Sequence, residues 1–163
     1  MSEIDDARDR LASLLKDRDL KVVFAESCTG GLVSATLAQV SGISNYLCGS
    51  AVTYRPAAKQ RWLGVPSDTI DEHSCESQQV ADEMVLGALK TTPEADWAAS
   101  VVGHCEGEGF VWISVARRDA SGRINLQDTH AQPLEQLARI DRQREAAAIV
   151  LINLADCITR LAE

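Results

Sequence analysis

Apolar residues recur at helical spacing over residues 4–15, where Ile4, Ala7, Leu11, Leu14 and Leu15 share one face and charges occupy the other. Ser2 or Asp5 can cap this helix. The β-branched run "KVVFA" (21–25) has the length of a buried strand. It ends in "ESCTGG", after which "GLVSATLAQV" reads as a helix stopping near Ser41-Gly42. "YLCGSAVTY" (46–54) is the next strand. "RPAAKQRWLG" follows it as a short helix, with Pro56 in the first turn and Gly64 as the stop. "VPSDTIDEHSC" reads as a polar connection, and residues 76–92 as an amphipathic helix with Val80, Met84, Leu86 and Leu89 on its apolar face. "WAASVVG" (97–103) and "FVWISVARR" (110–118) are strands, "DASG" is a turn, and "RINLQDTH" can return as a hairpin partner. From Asp141 to Leu161, Ala147, Ile149, Val150, Leu151, Leu154 and Ile158 mark a long, mostly buried helix.

Helices alternate with strands through the first hundred residues, and a hairpin then precedes the last helix. That order predicts an α/β protein, a three-layer α/β/α sandwich with a mixed β-sheet. Without repeats, low-complexity tracts or linkers, residues 1–163 are expected to form one domain. The length suffices for a real core, and 45% hydrophobic with 25% charged residues is ordinary for a globular protein. No apolar run approaches the roughly 20 residues of a membrane span, and "MSEIDDARDR" lacks the features of a secretion signal. A cytoplasmic protein without membrane contact is expected.

Net charge is −8, with no basic cluster long enough to track a nucleic-acid backbone. A small phosphorylated ligand needs only one or two cations and some amides, so that class stays open. The five cysteines are scattered, no pair has zinc half-site spacing, and the three histidines stand far apart. Reduced, mostly buried thiols and no metal are expected.

Two stretches carry candidate chemistry. The turn 26–31 sets Glu26, Ser27, Cys28 and Thr29 before Gly30 and Gly31, at the carboxyl end of a strand where open α/β sheets bind ligands. The glycines let a ligand approach the backbone, Ser27 or Thr29 can cap the helix, and the helix end would face a phosphate or a developing oxyanion. The same pattern also suits a purely structural turn, since it matches neither P-loop nor dinucleotide-binding spacing. The second stretch, "SGISNYLCGSAVTYRPAAKQRWLG", holds Ser44, Tyr54 and Lys59. A lysine whose pKa is lowered by burial can take a serine proton, with a tyrosine hydroxyl in the hydrogen-bond network. Ser44 opens the strand while Tyr54 and Lys59 follow its end, so spacing alone does not bring the three together.

"AESCTGG", "VSGISNYLCGSAVTY" and "AKQRWLGV", in that order and spacing, resemble the CinA C-terminal-domain family, which includes nicotinamide mononucleotide deamidases. The resemblance implies an α/β/α amidohydrolase, often dimeric, that needs no metal or cofactor. It would convert nicotinamide mononucleotide and water to nicotinic acid mononucleotide and ammonia. Carried over by motif, Ser44 would be the nucleophile, Lys59 the base and Tyr54 a hydrogen-bond partner. Ser27 with the Gly30 and Gly31 amides would hold the phosphate or the oxyanion, with Thr29 in the same turn. Arg142 and Arg55 would be candidate phosphate contacts.

Departures from the family pattern keep two alternatives open. The relatives' long glycine loop is shortened to "GHCEGEGF", which brings in Glu106 and Glu108, and their second arginine of the last helix falls on Ala146. A carboxylate beside a phosphate repels it by about 1 kcal/mol at 4 Å in water and several times that in a partly buried site. A nucleotide-binding or regulatory protein without turnover fits these losses, as does an amidohydrolase of a different, less phosphorylated substrate. His104 and Cys105 fall where the long loop would begin. Adjacent strand residues face opposite sides, which weighs against their acting as a pair.

Overall fold

A computed structural model describes residues 2–161. β1 (Val22–Glu26) is buried along its whole length because both its faces are covered. Val22 and Phe24 point to one core, Val23 and Ala25 to the other. β1 runs parallel to β2 (Leu47–Val52) on one side and to β3 (Trp97–His104) on the other. β4 (Phe110–Arg118) and β5 (Ile124–Pro133) extend the sheet antiparallel, giving the order β2-β1-β3-β4-β5.

The first face carries α1 (Glu3–Arg18), α2 (Leu32–Leu37) and α6 (Arg139–Arg160), whose Leu11, Leu15, Val33, Leu37, Leu151 and Leu154 bury against Phe24, Val101 and Ile113. The second carries α3 (Pro56–Leu63), α4 (Ser67–His73) and α5 (Gln78–Thr91), with Leu63, Val80, Met84 and Val85 against Val23, Ala98 and Val102. The fold is a three-layer α/β/α sandwich around a mixed sheet. Among the described residues, no helix is long and apolar enough to cross a membrane.

Three boundaries differ from the sequence expectation, each for a local reason. The stretch read as a polar connection holds α4, which buries none of its residues fully and offers no apolar stripe for periodicity to detect. α2 ends at Leu37, and the chain reaches Ser41 through turns. α6 begins at Arg139, two residues before the expected Asp141, because its first turns are polar and carry little of the apolar pattern.

β1 is the point from which the chain departs in both directions. It reaches β2 through α2 on one side, then β3 through α3, α4 and α5 on the other. Loops leaving the carboxyl ends of β1 and β3 therefore splay apart, and a crevice opens between them. The placement of α3 over this crevice depends on Gly87 of α5. A Cβ at that position would lie 2.0 Å from the Leu63 carbonyl oxygen, so only glycine admits the α3 backbone at this distance.

Candidate active site

The glycine pair after β1 answers a geometric demand. Gly30 and Gly31 both adopt positive φ, 60° and 100°, so the chain reverses sharply and starts α2 directly above the strand end. That reversal closes over Glu26, which is completely buried. Its Oε1 accepts hydrogen bonds from Thr29 Oγ1 at 2.9 Å and the Val33 amide at 2.8 Å. Its Oε2 accepts from the Ser34 amide at 3.2 Å, Ser34 Oγ at 2.9 Å and Ser50 Oγ of β2 at 2.7 Å. An acceptor-only carboxylate suits five donors, and a charge at the first turn of a helix is favourably placed. Glu26 thus binds the turn, α2 and β2 into one unit.

Ser27, the next residue, is anchored by its own amide, which donates to the Val101 carbonyl of β3 at 3.1 Å. Its Oγ lies 2.9 Å from Lys59 Nζ. Lys59 reaches this point from α3 and is 1% exposed, although lysine is seldom buried without a partner. Its Nζ also donates to the carbonyl oxygens of Thr53 at 2.7 Å and Tyr54 at 3.5 Å. Burial pushes this amine below its usual value of 10.5, against a partial upward pull from Cys75 and Glu76. In the neutral form two N–H groups serve the two carbonyls, and the lone pair is left for the Ser27 hydroxyl proton. That is the arrangement of a base and an alcohol it can activate.

The pair opens onto a cleft of about 290 Å³ lined by Ser27, Cys28, Tyr54, Glu76, Gly103–Glu106 and Arg139. Arg139, at the start of α6, donates to Tyr54 Oη at 2.7 Å and pairs with Glu106 at 2.9 Å. His104 stands at the rim with its ring edge-on to Trp112. Among the described residues, the amide protons of Cys28 and Thr29 meet no acceptor.

The sequence expectations divide here. Lys59, Tyr54 and Ser27 line or underlie one cleft. Ser44 does not join them. It is exposed in a single 3-10 turn (Ile43–Asn45) before β2, beside Lys21, Cys48 and Glu94 at the amino ends of the strands. The six residues of β2, roughly 20 Å at about 3.3 Å each, separate it from Lys59, and the Ser44–Lys59 pairing is corrected to Ser27–Lys59. The Thr29 hydroxyl is also corrected as a phosphate contact: it is buried and its proton goes to Glu26, so only the Thr29 amide is left as a donor toward an anion.

The Gly30 amide donates to the Ser27 carbonyl, neither glycine lines the cleft, and the α2 terminus is already occupied by Glu26. The helix-end anion site is therefore overturned. Arg142 is 7% exposed and clamps the shortened loop, donating to the carbonyls of Gln136, Cys105 and Gly107 at 2.6, 3.3 and 2.9 Å. A Cβ on Gly109 would lie 2.9 Å from its guanidinium carbon, so a glycine is needed there. Arg55 is exposed at the start of α3 and does not line the cleft. Arg139 escaped the sequence reading because it precedes the apolar pattern of α6. Glu26 stood out as a carboxylate in an odd place, but its partners come from three elements that sequence alone does not assemble.

Cys28 and Cys105 meet in the wall of the cleft, with Cys105 Sγ 3.8 Å from the Cys28 carbonyl oxygen. The contact with the Cys28 thiol, helped by Arg139 and Arg142, draws Cys105 down to about 7, whereas the same contact and burial push Cys28 up. Iodoacetamide should therefore label Cys105 before Cys28, with a rate rising through pH 7. Peptide mass mapping across a pH series checks this, and equal labelling of the two thiols would contradict it.

Fold and site together define an α/β/α protein with a buried lysine–serine pair at the switch point of a mixed sheet. Residues 4–156 match the model of the CinA C-terminal domain, and the chain belongs to that family. It is 34% identical over 147 residues to a CinA-like protein of Chloroherpeton thalassium, covering 85% of this chain and 35% of that one. It is 43% identical over 101 residues to a CinA-like protein of Citrifermentans bemidjiense, covering 62% of this chain and 24% of that one. The chain thus spans about a quarter to a third of the length of these curated relatives. Among solved structures it is similar to the competence/damage inducible protein CihA from Agrobacterium tumefaciens, at TM-score 0.86 and 27% identity over 96% of each chain. The competence damage-inducible protein A of Klebsiella pneumoniae is similar at TM-score 0.86 and 26% identity over 99% of each chain.

Proposed function

We propose that this chain is an amidohydrolase that releases ammonia from the carboxamide of an N-ribosylated nicotinamide, the class that includes nicotinamide mononucleotide. The observation that carries the reading is the 2.9 Å contact between Lys59 Nζ and Ser27 Oγ at the floor of an open cleft. Ser27 Oγ attacks the amide carbon as its proton passes to the Lys59 lone pair. The negative oxygen of the tetrahedral intermediate then needs donors, and the Cys28 and Thr29 amides that follow Ser27 are free to supply them. Collapse breaks the carbon–nitrogen bond, and Lys59 returns its proton to the departing nitrogen, which leaves as ammonia. Water, deprotonated by the regenerated amine, attacks the acyl ester, releases the carboxylic acid and restores Ser27.

A second reading, a ligand-binding protein without turnover, is favoured by Glu106 on the one cleft arginine. An ammonia-release assay with nicotinamide mononucleotide and its unphosphorylated riboside separates the two. The enzyme reading expects turnover, lost in Lys59→Met. It also expects kcat/KM to rise with pH through a limb centred below 10.5, since the base acts only when neutral and burial favours that form. Binding without ammonia would leave the second reading.

A further inference from the structure

The cleft is poorly matched to a phosphate. Its lining includes two carboxylates, Glu76 and Glu106, against one arginine, Arg139. Arg139 is already engaged, by Glu106 at 2.9 Å and by Tyr54 Oη at 2.7 Å. Arg142, also at this end of α6, is turned away onto the loop carbonyls. Lys59 is buried beneath Ser27 and, in its working form, neutral. The chain as a whole carries −8, which attracts cations and repels dianions as they approach.

A pyridinium ring bearing a carboxamide has the opposite demands. Its ring nitrogen is cationic, and a carboxylate such as Glu76, close enough to bear on the Lys59 amine, can face it. We infer that Glu106, paired with Arg139, makes this cleft select an unphosphorylated, cationic pyridinium amide over the same compound carrying a 5′-phosphate. The inference rests on the amidohydrolase reading for its reacting group and adds the phosphorylation state of the substrate. Glu106 sets the preference by occupying the guanidinium edge that a phosphate would take and by leaving a like charge beside it.

The test compares kcat/KM for nicotinamide riboside and nicotinamide mononucleotide in the wild-type chain, Glu106→Gln and Glu106→Asp. The wild type is expected to favour the riboside by about fivefold, the effect of one like charge at about 4 Å where Glu106 is largely open to solvent. Glu106→Gln should remove most of that ratio, Glu106→Asp should keep it, and raised salt should shrink the ratio more in the wild type than in Glu106→Gln, which a purely structural role for Glu106 would not produce. A preference for the mononucleotide, or a ratio unmoved by Glu106→Gln, overturns the inference and leaves the amidohydrolase reading standing. If neither compound yields ammonia, that reading falls and calorimetric binding of the two compounds decides the inference. Tighter riboside binding supports it; tighter mononucleotide binding, or none of either, overturns it.

Discussion

Ser27→Ala should reduce ammonia release by roughly 10⁴-fold or more, the scale on which loss of a nucleophile acts in serine-dependent hydrolases. Ser44→Ala should leave the rate where it was. The contrast follows from position. Ser27 Oγ is 2.9 Å from the Lys59 amine and faces the cleft, whereas Ser44 is an exposed turn residue at the opposite end of the strands. Binding should survive in Ser27→Ala, because removing one oxygen empties no part of the lining. KM or Kd will then change far less than kcat. A Ser27→Ala enzyme of near wild-type rate would move the chemistry to another group. A dead Ser44→Ala enzyme with an intact fold would restore the nucleophile that motif resemblance suggests.

The largest effect on stability is expected at Glu26. Truncation to Ala strands the buried Val33 amide and Thr29 hydroxyl and takes the carboxylate from the half-buried Ser34 amide and the Ser34 and Ser50 hydroxyls. Each buried donor left without an acceptor costs about 1–3 kcal/mol before relaxation, so a net loss of about 4 kcal/mol or more is expected. That is a large part of the roughly 5–15 kcal/mol by which a domain is stable. Glu26→Gln keeps the shape but aims an amide NH2 at donors, and should also destabilise. Urea unfolding midpoints measure both. A loss within about 1 kcal/mol for Glu26→Ala would mean that the turn is held by its glycines and packing rather than by the carboxylate.

Local signals in the sequence were enough for most of the fold. β1 declares itself by a β-branched run, α3 by Pro56 and Gly64, and α6 by its apolar stripe, and the structure places each where those signals lie. α4 was hidden because a short surface helix needs no apolar face. The site was legible only in its members. Lys59, Tyr54 and Ser27 each belong to stretches with chemical character, yet which serine meets the lysine depends on strand direction. β2 carries the chain away from Ser44 and delivers Lys59 to the end of β1, where Ser27 already sits. Spacing along the chain makes Ser44 and Ser27 look equally available; a parallel β1–β2 pair does not. Arg142 misled for a related reason. A helix-start arginine beside a glycine loop suits an anion ligand, but the shortened loop turns its carbonyls toward α6 and takes up the guanidinium instead.

The buried amine also has a thermodynamic signature. Its folded-state pKa is depressed, so the unfolded chain binds more protons between that value and 10.5, and stability should rise with pH across that window.

The most direct measurement is an NMR titration of the lysine side chains, with Lys59 assigned from its absence in Lys59→Met. The account predicts that Lys59 loses its proton at lower pH than the exposed lysines and that its midpoint shifts in Ser27→Ala, because the hydroxyl shares its lone pair. A Lys59 that titrates with the exposed lysines near 10.5 and ignores the loss of Ser27 would contradict it.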